Sequence, residues 1–238
     1  MLIGLVPVCL IMLVEILWYR KSALNIPLNQ KQYWAHRAYS PFYPPNSVEG
    51  IEYNIDQGIK GVEIDVYYDD TLNTFIVSHD FPYTKIDGDL LLLDTVFTQV
   101  LEPIHYWLDL KNLNADNYHS VSEKLSSLAI TYHQNGNLWL ESDRGYLLSK
   151  MDKKKFKKIY WPQYSREWHK RWLKLLYIKT LVLVSDFDAF DVVYFLLDED
   201  YVSTFSAYPL FVSYLENSEA IKNTESIPNV QVLLIDTK

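Results

Sequence analysis

Short apolar segments of β type recur along the chain from residue 33 onward, and stretches with helical spacing separate them. This alternation is typical of a mostly parallel sheet that helices cover. An open doubly wound sheet and a closed barrel both fit the pattern. The sequence contains no glycine-rich phosphate loop to support the open sheet. The length of 238 residues approaches the ~250 residues of an α/β barrel. We therefore predict an α/β fold and favour the closed barrel.

The candidate strands span residues 33–36, 61–67, 75–78, 105–111, 138–141, 158–161, 181–184, 202–206 and 230–235. If the segment at 181–184 is helical instead, the barrel lacks one strand. No helical pattern follows the last run, at 230–235. We therefore expect an atypical or incomplete last βα unit.

One helix is well marked between the first two strands. Asn46 and Glu49 have the spacing of a capping box, and Gly58 lies where a glycine would end the helix. The apolar side chains of one helical face are Val48, Ile51 and Ile55.

The N-terminal segment has a different composition. An apolar run at 2–19, interrupted only by Glu15, approaches the ~20 residues that a membrane-spanning helix needs. It ends in an aromatic and cationic collar formed by Trp18, Tyr19, Arg20 and Lys21. We predict a single-pass N-terminal membrane anchor and leave its orientation open. A cleaved signal peptide is one alternative, although no basic residue precedes the run, and a buried core helix is another.

The predicted organisation is a transmembrane anchor or signal sequence at 1–21, a polar linker at 22–32 and one barrel domain at 33–238. A single cysteine, Cys9, excludes an intramolecular disulfide framework and a Cys-rich zinc site. Packing must therefore stabilise the domain. The oligomeric state stays open.

Charge is distributed unevenly along the chain. The net charge is −8, yet segment 150–174 carries ten cationic and two acidic residues. Aromatic residues accompany these cations, at Tyr160, Trp161, Tyr164, Trp168 and Trp172. Cations beside interfacial aromatics suit an anionic lipid surface. Nucleic acid is the alternative ligand for such a patch, and a solvated helix end is the structural alternative. The net charge argues against a nucleic-acid binder, and the predicted anchor on the same chain favours lipid, so we expect a membrane partner and no nucleic acid.

Two carboxylates share one face of an apolar segment. Glu63 and Asp65 stand at positions i and i+2 of the strand at 61–67, so both side chains point the same way. Burial of two unpaired carboxylates costs several kcal/mol. A divalent cation with oxygen ligands, Mg²⁺ or Ca²⁺, would compensate them. A buried Arg or Lys partner is the alternative.

The strand at 105–111 repeats this arrangement with Asp109 and Lys111. If the two strands are neighbours, Glu63, Asp65 and Asp109 supply three oxygen ligands for a metal. Lys111 would then neutralise an anionic ligand such as phosphate. A simple salt bridge between Lys111 and one carboxylate is the alternative, and it leaves the third charge unexplained.

Two histidines follow apolar strands. His36 precedes Arg37, and His79 ends the run that begins near residue 75. Catalytic groups of barrel enzymes lie at strand ends, and a histidine pair supports general acid and base catalysis near neutral pH. Arg37 would hold a phosphate group. The other histidines are interpreted as surface or core residues.

These motifs, in order and spacing, resemble the N-terminal signature of glycerophosphodiester phosphodiesterases. They are His36-Arg37, Pro45-Asn46-Ser47, Gly58, Glu63-Ile64-Asp65-Val66 and His79-Asp80. The resemblance implies a metal-dependent phosphodiesterase of the phospholipase-C-like superfamily and specifies the closed barrel as a (β/α)8 barrel of the TIM type. It also implies that the two histidines form the acid/base pair, that Glu63 and Asp65 are metal ligands and that Arg37 contacts phosphate.

The chain departs from that signature at two positions. Pro45 stands where the family has a metal-binding Glu, and Ala38 replaces the glycine of the HRG motif. Asp109-Leu110-Lys111 is similar to the DLK segment of the sphingomyelinase D branch, whose metal has one Glu and two Asp ligands. Glu63, Asp65 and Asp109 match that set.

We therefore expect a phosphoric diester hydrolase or lyase, a glycerophosphodiester phosphodiesterase or a phospholipase D-like enzyme. Its substrate would be a glycerophosphodiester or a phospholipid headgroup. Glu141, at a later strand end, and Trp161 are candidate substrate contacts, although an acidic residue at a helix N-terminus is the alternative for Glu141. The opposing hypothesis is a catalytically silent barrel that binds a phosphorylated ligand, a lipid or a partner at the membrane.

Overall fold

Eight parallel strands close into a barrel in the computed structural model, which describes residues 5–22, 31–162, 168–215 and 217–236. The strands are β1 (Gln32–Ala35), β2 (Gly61–Asp69), β3 (Thr74–Val77), β4 (His105–Leu110), β5 (Leu138–Ser142), β6 (Lys157–Tyr160), β7 (Ala189–Val193), β8 (Leu210–Ser213) and β9 (Val230–Ile235). The helices are α1 (Leu5–Ser22), α2 (Val48–Asp56), α3 (Leu93–Gln99), α4 (Tyr118–Thr131), α5 (Gly145–Ser149), α6 (Trp168–Val184), α7 (Glu199–Thr204) and α8 (Ser218–Glu225).

The order of the strands around the barrel is β1, β9, β8, β7, β6, β5, β4 and β2, and β1 pairs with β2 to close the ring. β3 is the exception, because it pairs antiparallel with the end of β2 and forms a hairpin with it. The predicted TIM-type barrel is confirmed. The ring closes because β9 pairs with both β8 and β1, so the expectation of a barrel that lacks one strand was wrong. Within the described residues no helix follows β9, so the last βα unit is atypical in that respect, as expected.

Two predicted strands are helical. Residues 181–184 are the last turn of α6, where the buried Leu181 and Val182 continue a helical stripe from Ile178. Most of the segment at 202–206 belongs to α7 or follows it, and Asp198 caps that helix by accepting from the backbone NH of Tyr201. β7 and β8, which the sequence analysis missed, supply the strands that these segments were expected to provide.

Large side chains fill the barrel interior. Trp34 and Trp107 lie there with Phe211 and several aliphatic residues, and all of them are buried. Gly61 makes room for Trp34, because a Cβ atom at this position would lie 2.3 Å from the indole ring. A second and larger apolar core lies between the barrel and its helices.

The N-cap of helix α2 lies one residue later than predicted. The Ser47 side chain accepts from the Gly50 backbone NH at 3.0 Å and is the N-cap. Asn46 instead adopts a left-handed conformation, with φ of 61°, and turns its amide toward Asp65. Gly58, with φ of 78°, follows the helix as predicted.

Helix α1 packs against the barrel domain. The Trp18 ring stacks on Tyr208 with centroids 5.7 Å apart and donates a hydrogen bond to the Thr204 carbonyl oxygen. Glu15 pairs with Lys179 of α6 at 2.7 Å. The segment at 1–21 was interpreted as lying outside the fold, but Trp18 belongs to the core.

No helix within the described residues is long and apolar enough to cross a membrane, so the predicted transmembrane helix is not supported. Residues 23–30 of the predicted linker lie outside the described part of the chain. The same holds for residues 163–167 of the basic segment. Within that segment Lys158 is buried, and its amine contacts the backbone carbonyl oxygens of Ser149 and Met151. Lys158 is therefore not part of an exposed cationic surface.

Candidate active site

A pocket opens at the carboxyl ends of the barrel strands. All nine predicted site residues line it, namely His36, Arg37, Glu63, Asp65, His79, Asp109, Lys111, Glu141 and Trp161. The structure thus brings together residues that lie more than one hundred positions apart in sequence. The pocket occupies the end of the barrel at which barrel enzymes carry their catalytic groups.

Three carboxylates form the centre of this pocket. Asp65 of β2 stands in register with Asp109 of β4, and Glu63 lies two residues earlier on the same face of β2. One oxygen atom from each of the three lies within 4.8 Å of the others. Glu63 and Asp65 are almost completely buried. Hard oxygen ligands at this separation fit Mg²⁺ or Ca²⁺.

Protein cations compensate part of this charge. The amine of Lys111 lies 2.7 Å from Asp65 Oδ1 and also pairs with Asp109. Arg37 places its Nε atom 3.4 Å from Asp65 Oδ2, and its backbone NH donates to Glu63 at 2.7 Å. The salt bridge considered as an alternative is therefore present, but Lys111 reaches two carboxylates and leaves Glu63 without a cationic side-chain partner among the described ion pairs.

Burial and neighbouring charges shift the pKa values of the carboxyl groups and of Lys111. Burial raises the pKa of Glu63 well above its ordinary value, and the neighbouring Asp65 and Asp109 raise it further. Burial likewise raises the pKa of Asp109. For Lys111, burial lowers the pKa, but Asp109 and Asp65 outweigh it, so the amine stays protonated. Burial and mutual repulsion therefore oppose the ionised forms of these carboxyl groups, and a bound divalent cation would favour them.

Two further carboxylates, on β5 and β7, extend the cluster. Glu141 stands in register with Asp109 and accepts a hydrogen bond from the indole NH of Trp107. Asp191 accepts from the Ser213 hydroxyl group at 3.5 Å, and its other oxygen is buried without a partner. Burial raises the pKa of Glu141 well above its ordinary value and that of Asp191 to about 8. The side chain of Glu141 is buried and forms part of the pocket wall.

Asn46 holds one candidate metal ligand in place. Its amide nitrogen donates to Asp65 Oδ2 at 2.9 Å, and its amide oxygen accepts from the backbone NH of Asp65 at 3.1 Å. The sequence analysis assigned Asn46 to a helix cap. Pro45 next to it lines an adjoining cleft together with His79 and does not line the carboxylate pocket.

The two histidines have matching environments. His36 places Nδ1 3.0 Å from an Asp236 carboxylate oxygen, and His79 places Nδ1 2.7 Å from Asp80. A carboxylate at Nδ1 fixes the tautomer and orientation of the ring, which leaves Nε2 to exchange protons. Both rings are partly exposed and line the pocket. This geometry suits an acid/base pair.

Arg37 and Ala38 follow His36 with φ angles of 51° and 47°. Left-handed backbone is strained for residues other than glycine, at a cost of order 1 kcal/mol. Ala38 occupies the position of the glycine in the HRG motif, so the backbone conformation is present even though the glycine is absent. The strained turn brings the Arg37 backbone NH to Glu63.

Three functional candidates were not predicted from the sequence: Asp191, Asn46 and Asp236, the partner of His36. A carboxylate inside the apolar run Ala189–Val193 is the same signal that identified Glu63 and Asp65. The sequence pattern predicts strands at the neighbouring segments 181–184 and 202–206 instead of at this run.

The fold of the chain is similar to that of solved glycerophosphodiester phosphodiesterases. The enzyme from Parabacteroides distasonis superposes with a TM-score of 0.68 at 16% identity, over 88% of this chain and 94% of that one. The enzyme from Thermotoga maritima gives 0.65 at 19% identity, over 88% and 96%. A phosphodiesterase from Oleispira antarctica, solved in complex with the product sn-glycerol-3-phosphate, gives 0.66 at 16% identity, over 87% and 93%. No protein-family model and no curated protein matches the sequence.

Proposed function

We propose that the chain is a metal-dependent phosphoric diester hydrolase that acts on glycerophosphodiesters or phospholipid headgroups. One observation carries this proposal, the convergence of two carboxylate-bound histidines and a three-carboxylate cluster in a single pocket. The fold shared with glycerophosphodiester phosphodiesterases supports it.

Glu63, Asp65 and Asp109 would hold the metal. Their oxygens are mutually close and all of the hard type, and a bound divalent cation would favour their ionised forms. Mg²⁺ and Ca²⁺ both fit this set. A bound divalent ion supplies Lewis-acid polarisation of a phosphoryl oxygen.

The side chains of the pocket supply the remaining chemistry. One histidine accepts the proton of the attacking hydroxyl group, and the other donates a proton to the leaving oxygen. Asp236 and Asp80 hold the two rings through Nδ1. Arg37 and Lys111 offset the charge of the phosphate group. The attacking group is water or a hydroxyl group of the substrate, and the latter would yield a cyclic phosphate.

A glycerophosphodiester is the substrate class that the neighbouring structures favour. The Oleispira antarctica phosphodiesterase was solved with the product sn-glycerol-3-phosphate. The pocket described here has the charges that such a product requires, with cations for the phosphate group. Trp161 lines the pocket wall and would contact the organic part of the substrate.

We also propose that the protein works at a membrane surface. Helix α1 turns Trp18 toward the barrel and leaves one apolar face exposed, formed by Leu10, Met12, Leu13, Ile16 and Leu17. Exposed apolar patches of this kind mark interaction sites. Vesicle flotation with phosphatidylserine vesicles tests the idea. Binding that survives Leu13→Gln with Leu17→Gln would contradict it, and Leu101→Gln is the control at an exposed leucine elsewhere.

A silent, ligand-binding barrel is the second candidate. Two observations favour it: Pro45 stands at the position of a metal-binding Glu, and Lys111 already bridges Asp65 and Asp109. In that case the pocket would bind a phosphorylated ligand without metal.

The deciding experiment measures alcohol release from glycerophosphodiesters, lysophospholipids and sphingomyelin by the full chain. Each substrate is tested with Mg²⁺, with Ca²⁺ and with EDTA. We expect metal-dependent turnover with at least one substrate, and a loss of about 10²- to 10⁴-fold in His36→Ala and His79→Ala. Absence of turnover with every substrate, together with absence of metal binding in calorimetry, would favour the silent barrel.

A further inference from the structure

Strand β2 continues past the metal-ligand candidates into the hairpin with β3. Residues two apart on a strand share a face, so Tyr67 and Asp69 continue the row begun by Glu63 and Asp65. With a rise of about 3.3 Å per residue, Tyr67 stands about 7 Å beyond Asp65 along the strand. The row thus leads from the carboxylate cluster, past the residues that line the pocket, to the rim of the barrel.

Three aromatic rings meet at this rim, and we refer to Tyr67, Phe81 and Tyr83 as the aromatic platform. The ring centroids of Tyr67 and Phe81 are 6.4 Å apart, those of Tyr67 and Tyr83 are 5.7 Å apart, and those of Phe81 and Tyr83 are 5.2 Å apart. Phe81 is nevertheless 73% exposed. The platform therefore presents ring surface to solvent directly after His79.

Oxygen acceptors hold two of the rings in place. The Tyr83 hydroxyl group donates to Asp69 Oδ2 at 3.2 Å, and the Tyr67 hydroxyl group donates to the His79 carbonyl oxygen at 3.4 Å. Asp69 also accepts from two backbone NH groups of its turn. These hydrogen bonds fix both tyrosines to the segments that carry the site. The two rings are therefore in place before a ligand binds.

The charge around the platform is negative. Asp69, Asp70 and Asp80 surround it, and Asp70 and Asp80 are exposed. Within the described residues, the lysines that lie over aromatic rings face Tyr118, Tyr146, Trp139 and Trp18, and none lies over the platform. The positive charge of Lys111 acts on Tyr67 from the pocket side, but the carboxylates of Asp65, Asp109 and Asp80 act on it as well. Aromatic faces with this excess of carboxylates are suited to a cation from outside the chain.

A purely structural role explains only part of this arrangement. Packing of Tyr67 and Tyr83 stabilises the loop after His79, and their hydroxyl groups are satisfied. That role does not account for Phe81, because its ring is mostly exposed and buries little area against its neighbours. Its position two residues after His79, beside two further rings, makes this exposed ring available for ligand contact.

We propose that the aromatic platform binds the trimethylammonium group of a choline-ester substrate, an inference that rests on the proposed phosphodiesterase function. The phosphate group would lie at the carboxylate cluster, and the short choline arm would follow the β2 row to the rim. Aromatic faces cannot accept strong hydrogen bonds, so they favour a weakly hydrated quaternary ammonium over a primary amine. The platform therefore selects choline over ethanolamine and over the neutral glycerol headgroup.

The test compares kcat/KM for glycerophosphocholine, glycerophosphoethanolamine and glycerophosphoglycerol. In Phe81→Leu, we expect the ratio of kcat/KM for the choline ester to kcat/KM for the glycerol ester to fall about tenfold. The reason is that the variant keeps an apolar side chain and loses the ring. Phe81→Trp should restore the ratio. Tyr83→Phe is the matched control that keeps the ring and removes the bond to Asp69. An equal loss for all three esters in Phe81→Leu would overturn the proposal.

A binding measurement separates this inference from the proposed function. Choline chloride is titrated into the full chain and followed by calorimetry, with glycerol as the neutral control. We expect choline to bind the wild type and to bind Phe81→Leu about tenfold more weakly. If no ester is hydrolysed but this pattern holds, the proposed function fails and the cation site stands. If esters are hydrolysed but choline does not bind, the cation site is wrong.

Discussion

Among the single residues of the site, Lys111 neutralises part of the negative charge of the carboxylate cluster. Its amine contacts Asp65 and Asp109 together, so two of the three candidate ligands already share one positive charge. A divalent ion brings twice that charge to the same oxygens. The phosphate group of a substrate would offer the same amine a further partner. Lys111 is thus suited to link metal binding with substrate binding.

Asn46 is expected to control the affinity for metal. Asn46→Ala removes both hydrogen bonds to Asp65, and loss of a group that orients a ligand typically weakens metal binding about 10- to 100-fold. Calorimetric titration with Mg²⁺ measures the change. Asn46→Gly is the matched variant, because it tolerates the φ of 61° without strain. If the glycine variant binds metal as the wild type does, the backbone conformation matters and the amide does not.

Asp191 gives a prediction about pH. Its pKa of about 8 in the folded protein lies well above the ordinary value of 3.8. Between these values the folded state binds the proton more tightly than the unfolded state, so stability falls as the pH rises through this window. Asp191→Asn should therefore stabilise the metal-free protein at pH 9 by about 1–3 kcal/mol, and by less at pH 5.

Urea unfolding in EDTA at the two pH values measures this difference. Ser213 can still donate to the amide oxygen of the variant, so its hydrogen bond is preserved. A stabilisation of equal size at pH 5 and pH 9 would show that the carboxylate of Asp191 is not responsible.

Among the elements, β2 and β4 could be read from the sequence because they carry their carboxylates inside apolar runs. The same reasoning located the pocket, since the ends of parallel strands converge. The stretch at 181–184 was misread because β-branched residues favour strands locally, whereas burial along α6 decides the outcome. β8 is only four residues long and offers too little pattern to stand out.

The packing of Trp34 on β1 against Gly61 on β2 gives a prediction about stability. Gly61→Ala would place a methyl group 2.3 to 2.7 Å from three ring atoms of Trp34. Overpacking of this kind costs about 1–3 kcal/mol. We expect a lower free energy of unfolding in urea, and partial recovery in the double variant with Trp34→Phe. Additive losses in the double variant would argue that the two residues do not compete for this space.

On the scale of the whole molecule, α1 belongs with the barrel. Trp18 is 4% exposed and contacts both Phe205 and Tyr208. Truncation of a buried tryptophan costs about 3–5 kcal/mol. Trp18→Ala should therefore destabilise the full chain by this amount in urea unfolding, whereas Tyr19→Ala, at a position 76% exposed, should change it by less than about 0.5 kcal/mol. Equal stability of both variants would mean that α1 does not support the domain.

The sequence could not show this packing, because an apolar helix that covers a barrel and one that enters a membrane have similar compositions. The interaction partners of α1 lie on α6 and near α7, more than 150 residues away. Only the closed barrel brings these segments to one side of the molecule.

The central claim is that this pocket cleaves a phosphodiester with the help of a divalent metal and two histidines. ³¹P NMR of glycerophosphocholine incubated with the full chain and Mg²⁺ tests it most directly, because it detects the diester and either product. We predict a new resonance of glycerol phosphate or of a cyclic phosphate, absent with EDTA and in His79→Ala. A diester signal that persists unchanged with Mg²⁺ and with Ca²⁺, for this substrate and for glycerophosphoglycerol, would contradict the account.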